Sequence, residues 1–217
     1  MQFSLNQVVI SPGRTLLLKE INWSMFEKLL EELGETRAAR LSYSQGMLEI
    51  MVPLAEHGSD KKIIGNLVEI LLEELDMEFW ALGSTTFQNE QMAQAVEPDE
   101  CFYIQHEAQV RGKKRLDLTQ DPPPDLAIEI DITSRTRFDN YEKLGVPELW
   151  RYDGDSLEIN CLPAYRYVAS ETSALFPQFP LLEVIPRYVK ESQMSGRNAT
   201  MKAFREWVRM LVPHVGE

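Results

Sequence analysis

Between Asn22 and Leu33 the apolar residues Trp23, Phe26, Leu29, Leu30 and Leu33 recur at helical spacing and Gly34 follows as a stop, which predicts an amphipathic helix. Two stretches of period-two alternation come next, Ala39 to Ser44 and Met47 to Val52, and Gln45-Gly46 between them predicts a β-hairpin. Pro53 ends it. From about His57 to Leu75 the residues Ile64, Leu67, Val68, Leu71 and Leu75 line one helical face, so a long central helix is expected there. Strands are expected at Glu78 to Gly83 and Asp99 to Ile104, followed by a polar loop. Pro122-Pro123-Pro124 then fixes an extended lead-in to a strand from Asp125 to Ile132. Thr133 or Ser134 caps a short helix through Tyr141 to Leu144, and Gly145 supplies its exit. Pro147 to Tyr152, Ser156 to Cys161 and Tyr165 to Ala169 read as short antiparallel strands. Helices at about 186 to 194, with Pro186 in the first turn, and at about 199 to 211 complete the pattern. The expected architecture is α/β (α+β), one domain over residues 1–217, without repeat or linker.

Composition narrows the class of function. Hydrophobic residues make up 44% of the 217, enough for a substantial core. The apolar runs are short and broken by charge, and the N-terminal stretch lacks the basic start and apolar core of a signal peptide. A cytoplasmic protein without membrane attachment is therefore expected. Two cysteines and three histidines leave no disulfide framework and no cysteine- or histidine-rich metal motif. No nucleophile elbow or phosphate-binding glycine loop is present, which argues against a small-molecule hydrolase.

The net charge of −12 opposes a generic nucleic-acid coat, because phosphate affinity comes mainly from Lys and Arg. The acidity is lopsided, however: residues 1–100 hold 7 Lys/Arg against 17 Asp/Glu, so the remainder stands near balance. Arg111, Lys113, Lys114 and Arg115 form a basic cluster, and Arg187, Lys190, Arg197, Lys202, Arg205 and Arg209 form a second. Each is a candidate polyanion contact, or a solvated surface.

The chemistry concentrates on the strand Asp125 to Ile132. Side chains alternate across a strand, so Asp125, Ala127, Glu129 and Asp131 share one face while Leu126, Ile128, Ile130 and Ile132 share the other. Same-face neighbours lie roughly 6.6 Å apart along the backbone. Carboxylates so close repel in a partly buried strand, and protonation, a basic partner or a bound cation relieves the conflict. Mg²⁺ suits such a place, since it takes one or two carboxylates plus waters and a substrate phosphate. The plainer alternative is an alternating strand whose acids face water.

Several short motifs accompany that strand: Leu48-Glu49-Ile50 after the Gly46 turn, Pro53-Leu54-Ala55-Glu56-His57, Glu97-Pro98-Asp99, Pro123-Pro124-Asp125-Leu126-Ala127-Ile128-Glu129, and Tyr141 with Gly145-Val146-Pro147-Glu148-Leu149-Trp150. Together they resemble the PD-(D/E)XK, restriction-endonuclease-like superfamily, and within it the abundant bacterial "putative restriction endonuclease" family, over most of the chain. The resemblance implies a central mixed sheet flanked by helices, with an N-terminal helix and hairpin and C-terminal helices. It implies a nuclease that uses Mg²⁺ or Mn²⁺ on DNA, and nucleases of this fold often work as homodimers.

By the same resemblance Asp99 matches the aspartate of the Pro-Asp motif and Glu129 the acid of the (D/E)XK strand, both as metal ligands. Glu56 and His57, at the start of the long helix, match an acid and a histidine near the metal, Glu56 as a further ligand. Asp125 also follows a proline and is a weaker candidate, as is Tyr141, while Glu49 is expected to face solvent. The family's lysine two residues after the acid is Asp131 here, itself a candidate to assist at the metal alongside Glu56. Arg137, one turn before Tyr141, is the candidate to replace that lysine, with Lys143 as the other. An arginine is no base near neutral pH, but it orients water or stabilises transition-state charge. Two further readings compete with a nuclease: a binding module that keeps the carboxylate shell without turnover, and an interaction domain built on the aromatic C-terminal part, Tyr165, Tyr167, Phe176, Phe179, Tyr188 and Trp207.

Overall fold

The computed structural model describes residues 8–34, 39–83, 85–113, 116–132 and 138–212, with only the backbone of 55–57. Two sheets organise it. The first is antiparallel, in the order β1-β3-β2-β6-β5, from β1 (Arg14–Leu18), β2 (Arg40–Ser44), β3 (Met47–Val52), β5 (Phe87–Asn89) and β6 (Gln94–Val96). Gln45 and Gly46 both take positive φ, the two-residue turn that matches strand twist, so β2 and β3 form the predicted hairpin. Against this sheet lies α1 (Trp23–Leu33), started by the Asn22 carbonyl oxygen Oδ1 accepting from Met25 N at 2.9 Å and stopped at Gly34, φ 68°. Phe26 stacks on Tyr43 at 4.8 Å in the core between them.

The second sheet is mixed, in the order β11-β10-β9-β8-β7-β4. It is built from β4 (Trp80–Leu82), β7 (Glu100–Tyr103), β8 (Leu126–Ile130), β9 (Glu148–Tyr152), β10 (Leu157–Cys161) and β11 (Val168–Ser170). Only the central pair, β8 with β9, is parallel among the described strands. Its chain reversal is made by α4 (Phe138–Leu144), which Gly145 ends at φ 77°.

On one face Leu126, Ile128, Ile130, Trp150 and Tyr152 pack with Ile64, Leu67, Val68 and Leu71 of α2 (Ala55–Glu74), and with α5 (Leu181–Ser195) and α6 (Arg197–Leu211). On the other, Ala127 and Leu149 meet Tyr141, Leu144 and Val146. Strand β8 is thus covered on both sides, as parallel strands usually are, and its acidic face opens only from Glu129 onward. The expected helix-flanked mixed sheet is present, with the N-terminal helix and hairpin on the other sheet.

Several expectations need correction. Strands β1, β5 and β6 carry no strict alternation and are too short to declare themselves, and the loop before Pro122 contains a one-turn helix, α3 (Glu107–Val110). Helix α5 begins at Leu181, not at about 186, so Pro186 lies inside it and the helix forgoes one backbone bond. Phe176, Phe179 and Tyr188 are buried and Trp207 stacks on Phe204 at 5.5 Å, so the C-terminal aromatics are core; of the six, Tyr165 stands exposed. Glu49 is partly buried, opposite Ser42, and Ser42 accepts a hydrogen bond from Asn140 of α4. It therefore faces inward, not toward solvent. The expected caps Thr133 and Ser134 lie outside the described residues.

Candidate active site

Strand register brings the two leading acids together. Glu100 of β7 faces Ile128 of β8 in an antiparallel ladder, and one step further along that register faces Asp99 with Glu129. Cross-strand neighbours have Cβ atoms about 5 Å apart. The Ile130 N–H donates to Asp99 Oδ2 at 2.9 Å, which fixes the aspartate across the strand end. Asp99 is 1% exposed. From α4, the Tyr141 hydroxyl donates to Glu129 Oε1.

Burial first, and the Asp99 charge second, push the Glu129 carboxyl well above its usual range, with Asp131 adding to the shift. The charge of Arg40 and the Tyr141 hydrogen bond pull it back. The phenol of Tyr141 is itself pushed up, by burial and then by Glu129, so it stays a hydrogen-bond donor. Two carboxyls that repel in a dry site attract a cation. In the structure that cation is Arg40, whose Nη1 contacts Asp99 Oδ1.

The residues present fit a divalent ion. Asp99 Oδ1 is buried and among the described residues is met by the Arg40 guanidinium, with the Glu129 carboxyl beside it across the strand register. Two carboxylates with water and phosphate completing the shell suit Mg²⁺ or Mn²⁺. No cluster of three or more acid, histidine or cysteine ligands occurs among the described residues. A third protein ligand would have to come from outside them, and the side chains of Glu56 and His57, in the first turn of α2, lie there, as does all of Arg137.

The remaining sequence candidates have other engagements. Asp131 is held by Arg151, whose Nε and Nη2 reach its Oδ2 at 2.7 and 2.6 Å. Asp125 accepts from Ile104 N at 2.7 Å and His106 N at 3.2 Å, and its Oδ1 meets His106 Nδ1 at 2.6 Å. It ties the loop after β7 to the start of β8 rather than joining Glu129. Lys143 is partly buried and contacts neither Asp99 nor Glu129 among the described residues. Arg111 forks onto Glu107 with two 2.6 Å bonds, and Lys113 pairs with Asp121; Lys114 and Arg115 lie outside the described residues. Near the C-terminus, Arg205 and Arg209 are likewise spent on Glu73 and Glu74.

Two residues of the site, Arg40 and Arg151, carried no local signal. Arg40 starts β2, far from Asp99 in sequence, and the antiparallel β2–β6 register, continued past Ser42 and Val96, sets it opposite Pro98 and so beside Asp99. Glu97 accepts from Leu41 N at 3.1 Å and from the Thr86 hydroxyl, so the Glu97-Pro98-Asp99 motif itself clamps the strand that carries Arg40. Arg151 stands beside Glu129 in the β8–β9 register and also bonds Glu158 at 3.0 Å, with Phe138 beneath its guanidinium at 4.9 Å. Parallel register is what places it there, and no spacing rule announces it.

Among solved structures the chain is similar to a putative nuclease belonging to DUF820 from Anabaena variabilis, with 14% identity, 87% of this chain and 99% of that one covered, and a TM-score of 0.49. No curated protein matches. A family profile described as "Putative restriction endonuclease", Uma2, matches residues 23–190, a span that runs from α1 to α5 and contains Arg40, Asp99, Glu129 and Tyr141. The chain belongs to this family.

Proposed function

We propose that the protein is a divalent-metal-dependent nuclease that hydrolyses phosphodiester bonds in DNA. The observation that carries the proposal is the cross-strand pair Asp99 and Glu129, two acids forced together where burial makes a counter-cation necessary. In this reading Asp99 and Glu129 hold Mg²⁺ or Mn²⁺, and Glu56 assists, with His57 beside it. A divalent ion bound there polarises a phosphoryl oxygen and makes hydroxide available at neutral pH. The chain's own groups prepare the place: Ile130 N–H aims Asp99, and the Tyr141 hydroxyl aims Glu129. Arg137 serves the attacking water or the charge of the transition state, with Lys143 second to it. Arg111, Lys113, Lys114 and Arg115 contribute backbone contacts once substrate competes for them. Two sites are needed to cut both strands, so a homodimer belongs to the proposal. Free Cys101 and Cys161 agree with work in a reducing cytoplasm, and no helix among the described residues is long and apolar enough to cross a membrane.

A second reading is favoured by one observation. Asp131 occupies the place of the family's lysine and is itself consumed by Arg151, so no base stands there. A module that binds metal and nucleic acid without turnover fits that arrangement.

Calorimetric titration of Mn²⁺ and Mg²⁺ into the wild type, Asp99→Ala and Glu129→Ala, beside a plasmid-nicking assay, separates the two. Binding and nicking that both substitutions abolish support the nuclease. Metal binding with intact plasmid supports the module, and wild-type protein that takes up neither ion removes both.

A further inference from the structure

Arg40 and Arg151 both stand at the acidic end of the site, but they are bonded very differently. Arg151 is saturated: Nε and Nη2 meet Asp131, Nη1 meets Glu158, and the plane rests on Phe138. Arg40 contacts Asp99 through Nη1, and its guanidinium makes no other ion pair or hydrogen bond among the described residues. A guanidinium carries five N–H donors in a planar fork suited to carboxylate or phosphate. Among the described residues most of Arg40's meet no protein acceptor.

The position is also built, not incidental. The neighbouring Leu41 N–H is locked to Glu97, two residues before Asp99, so strand β2 is pinned where its arginine meets the acid. The Arg40 side chain is 13% exposed against 2% for Asp99, so it approaches the buried carboxylate from the open side.

We propose that Arg40 is an exchangeable counter-ion: it neutralises Asp99 in the metal-free protein, leaves Asp99 when a divalent ion binds, and then grips the scissile phosphate. The proposal rests on the metal-dependent reading above. A guanidinium and a metal dication repel when both contact one carboxylate oxygen, so the two compete for Asp99 Oδ1. The strand anchoring of Arg40 keeps it within side-chain reach of the vacated contact. There it supplies the cation that the (D/E)XK strand lacks, delivered from the other sheet.

The test is Mn²⁺ calorimetry on wild type, Arg40→Ala and Arg40→Lys, with thermal melts with and without Mn²⁺ and plasmid nicking over a salt series. Arg40→Ala is expected to bind Mn²⁺ at least about ten-fold tighter, because its competitor is gone, and to gain more melting temperature from Mn²⁺ than the wild type does. Its nicking is expected to fall about a hundred-fold, with a salt dependence shallower by about one phosphate contact. Arg40→Lys, which keeps a charge without the fork, should bind Mn²⁺ within a few-fold of the wild type and still nick poorly. Folded Arg40→Ala with unchanged or weaker Mn²⁺ affinity overturns the exchange, and undiminished nicking overturns the grip on phosphate. Tighter Mn²⁺ binding with no nicking by any of the proteins, wild type included, upholds the exchange and removes the nuclease reading instead.

Discussion

Glu129 is where burial and charge are set against each other most sharply. Its carboxyl is raised by desolvation and by Asp99 above the ordinary 4.5. A raised acid favours the folded state while protonated, so its contribution is complete below 4.5 and is lost as the pH climbs through the folded value. In chelator-treated wild type, stability should therefore decline as the pH rises from 4.5 toward the raised folded value, by up to about 1.4 kcal/mol per pH unit. Glu129→Gln keeps an acceptor for the Tyr141 hydroxyl and removes the charge, so its stability should be flatter over that range and exceed the wild type's at the upper end. Parallel melting curves against pH for the two proteins would contradict this account. The same substitution should cost metal binding, because it removes one of only two carboxylates brought together among the described residues. Stability gained with metal binding lost is the mark of a site residue, whereas a purely structural acid would lose stability.

Elements differ in how much of their cause is local. The β9–β10 turn is wholly local: Asp153 Oδ1 accepts from Asp155 N at 3.0 Å and Ser156 N at 2.8 Å, and Oδ2 takes the Ser156 hydroxyl. The Ser156 and Asp155 backbone bonds hold the Asp153 carboxyl below its usual range, so this support is present above 3.8 and disappears as the pH falls through the folded value. Asp153→Ala should cost about 1 kcal/mol at neutral pH, as losing a comparable local cap does, and the difference from wild type should shrink in acid. Denaturant midpoints at two pH values check both points. Features of this local kind were readable from the sequence: the α1 and α2 stripes, the Gln45-Gly46 hairpin, and the two-faced β8 with its acids on one side. Strands β1, β5 and β6 were not, because three to five residues without alternation become strands only when a partner supplies the ladder. Helix α5 was misjudged by its proline, which tertiary burial of Leu181, Val184 and Ile185 overrides. The candidate site divides the same way. Asp99 and Glu129 stand in legible motifs, while Arg40 is set beside Asp99 by the long-range β2–β6 pairing, a register that no periodicity encodes.

At the scale of the molecule, what matters is how the parts are fastened to the six-stranded sheet. The α2–α6 seam is laced by Arg205 and Arg209 onto Glu73 and Glu74, and although Glu74 is mostly covered, both arginines stay within reach of water, which competes for the pairs. The segment that leads from β11 to α5 is fastened by a different device. Glu148, 1% exposed at the start of β9, accepts from Trp150 Nε1 and the Ser173 hydroxyl at 2.6 Å each and from Ala174 N at 2.8 Å. Ser173 Oγ in turn accepts from the N–H groups of Leu175 and Phe176, so one buried carboxylate organises the approach to the C-terminal helices. Removing it leaves the Trp150 indole N–H and the Ser173 hydroxyl in the buried interior without their charged acceptor, while the Ala174 N–H sits on an exposed residue where water competes. Glu148→Ala should therefore cost about 3 kcal/mol or more, whereas Glu74→Ala, which releases two solvent-reachable arginines, should cost about 1 kcal/mol or less. Urea unfolding of the two variants decides the point, with raised salt as a control that weakens only the second. Equal losses would mean that the helix seam, not the buried carboxylate, fastens α5 and α6 to the sheet that carries Glu129.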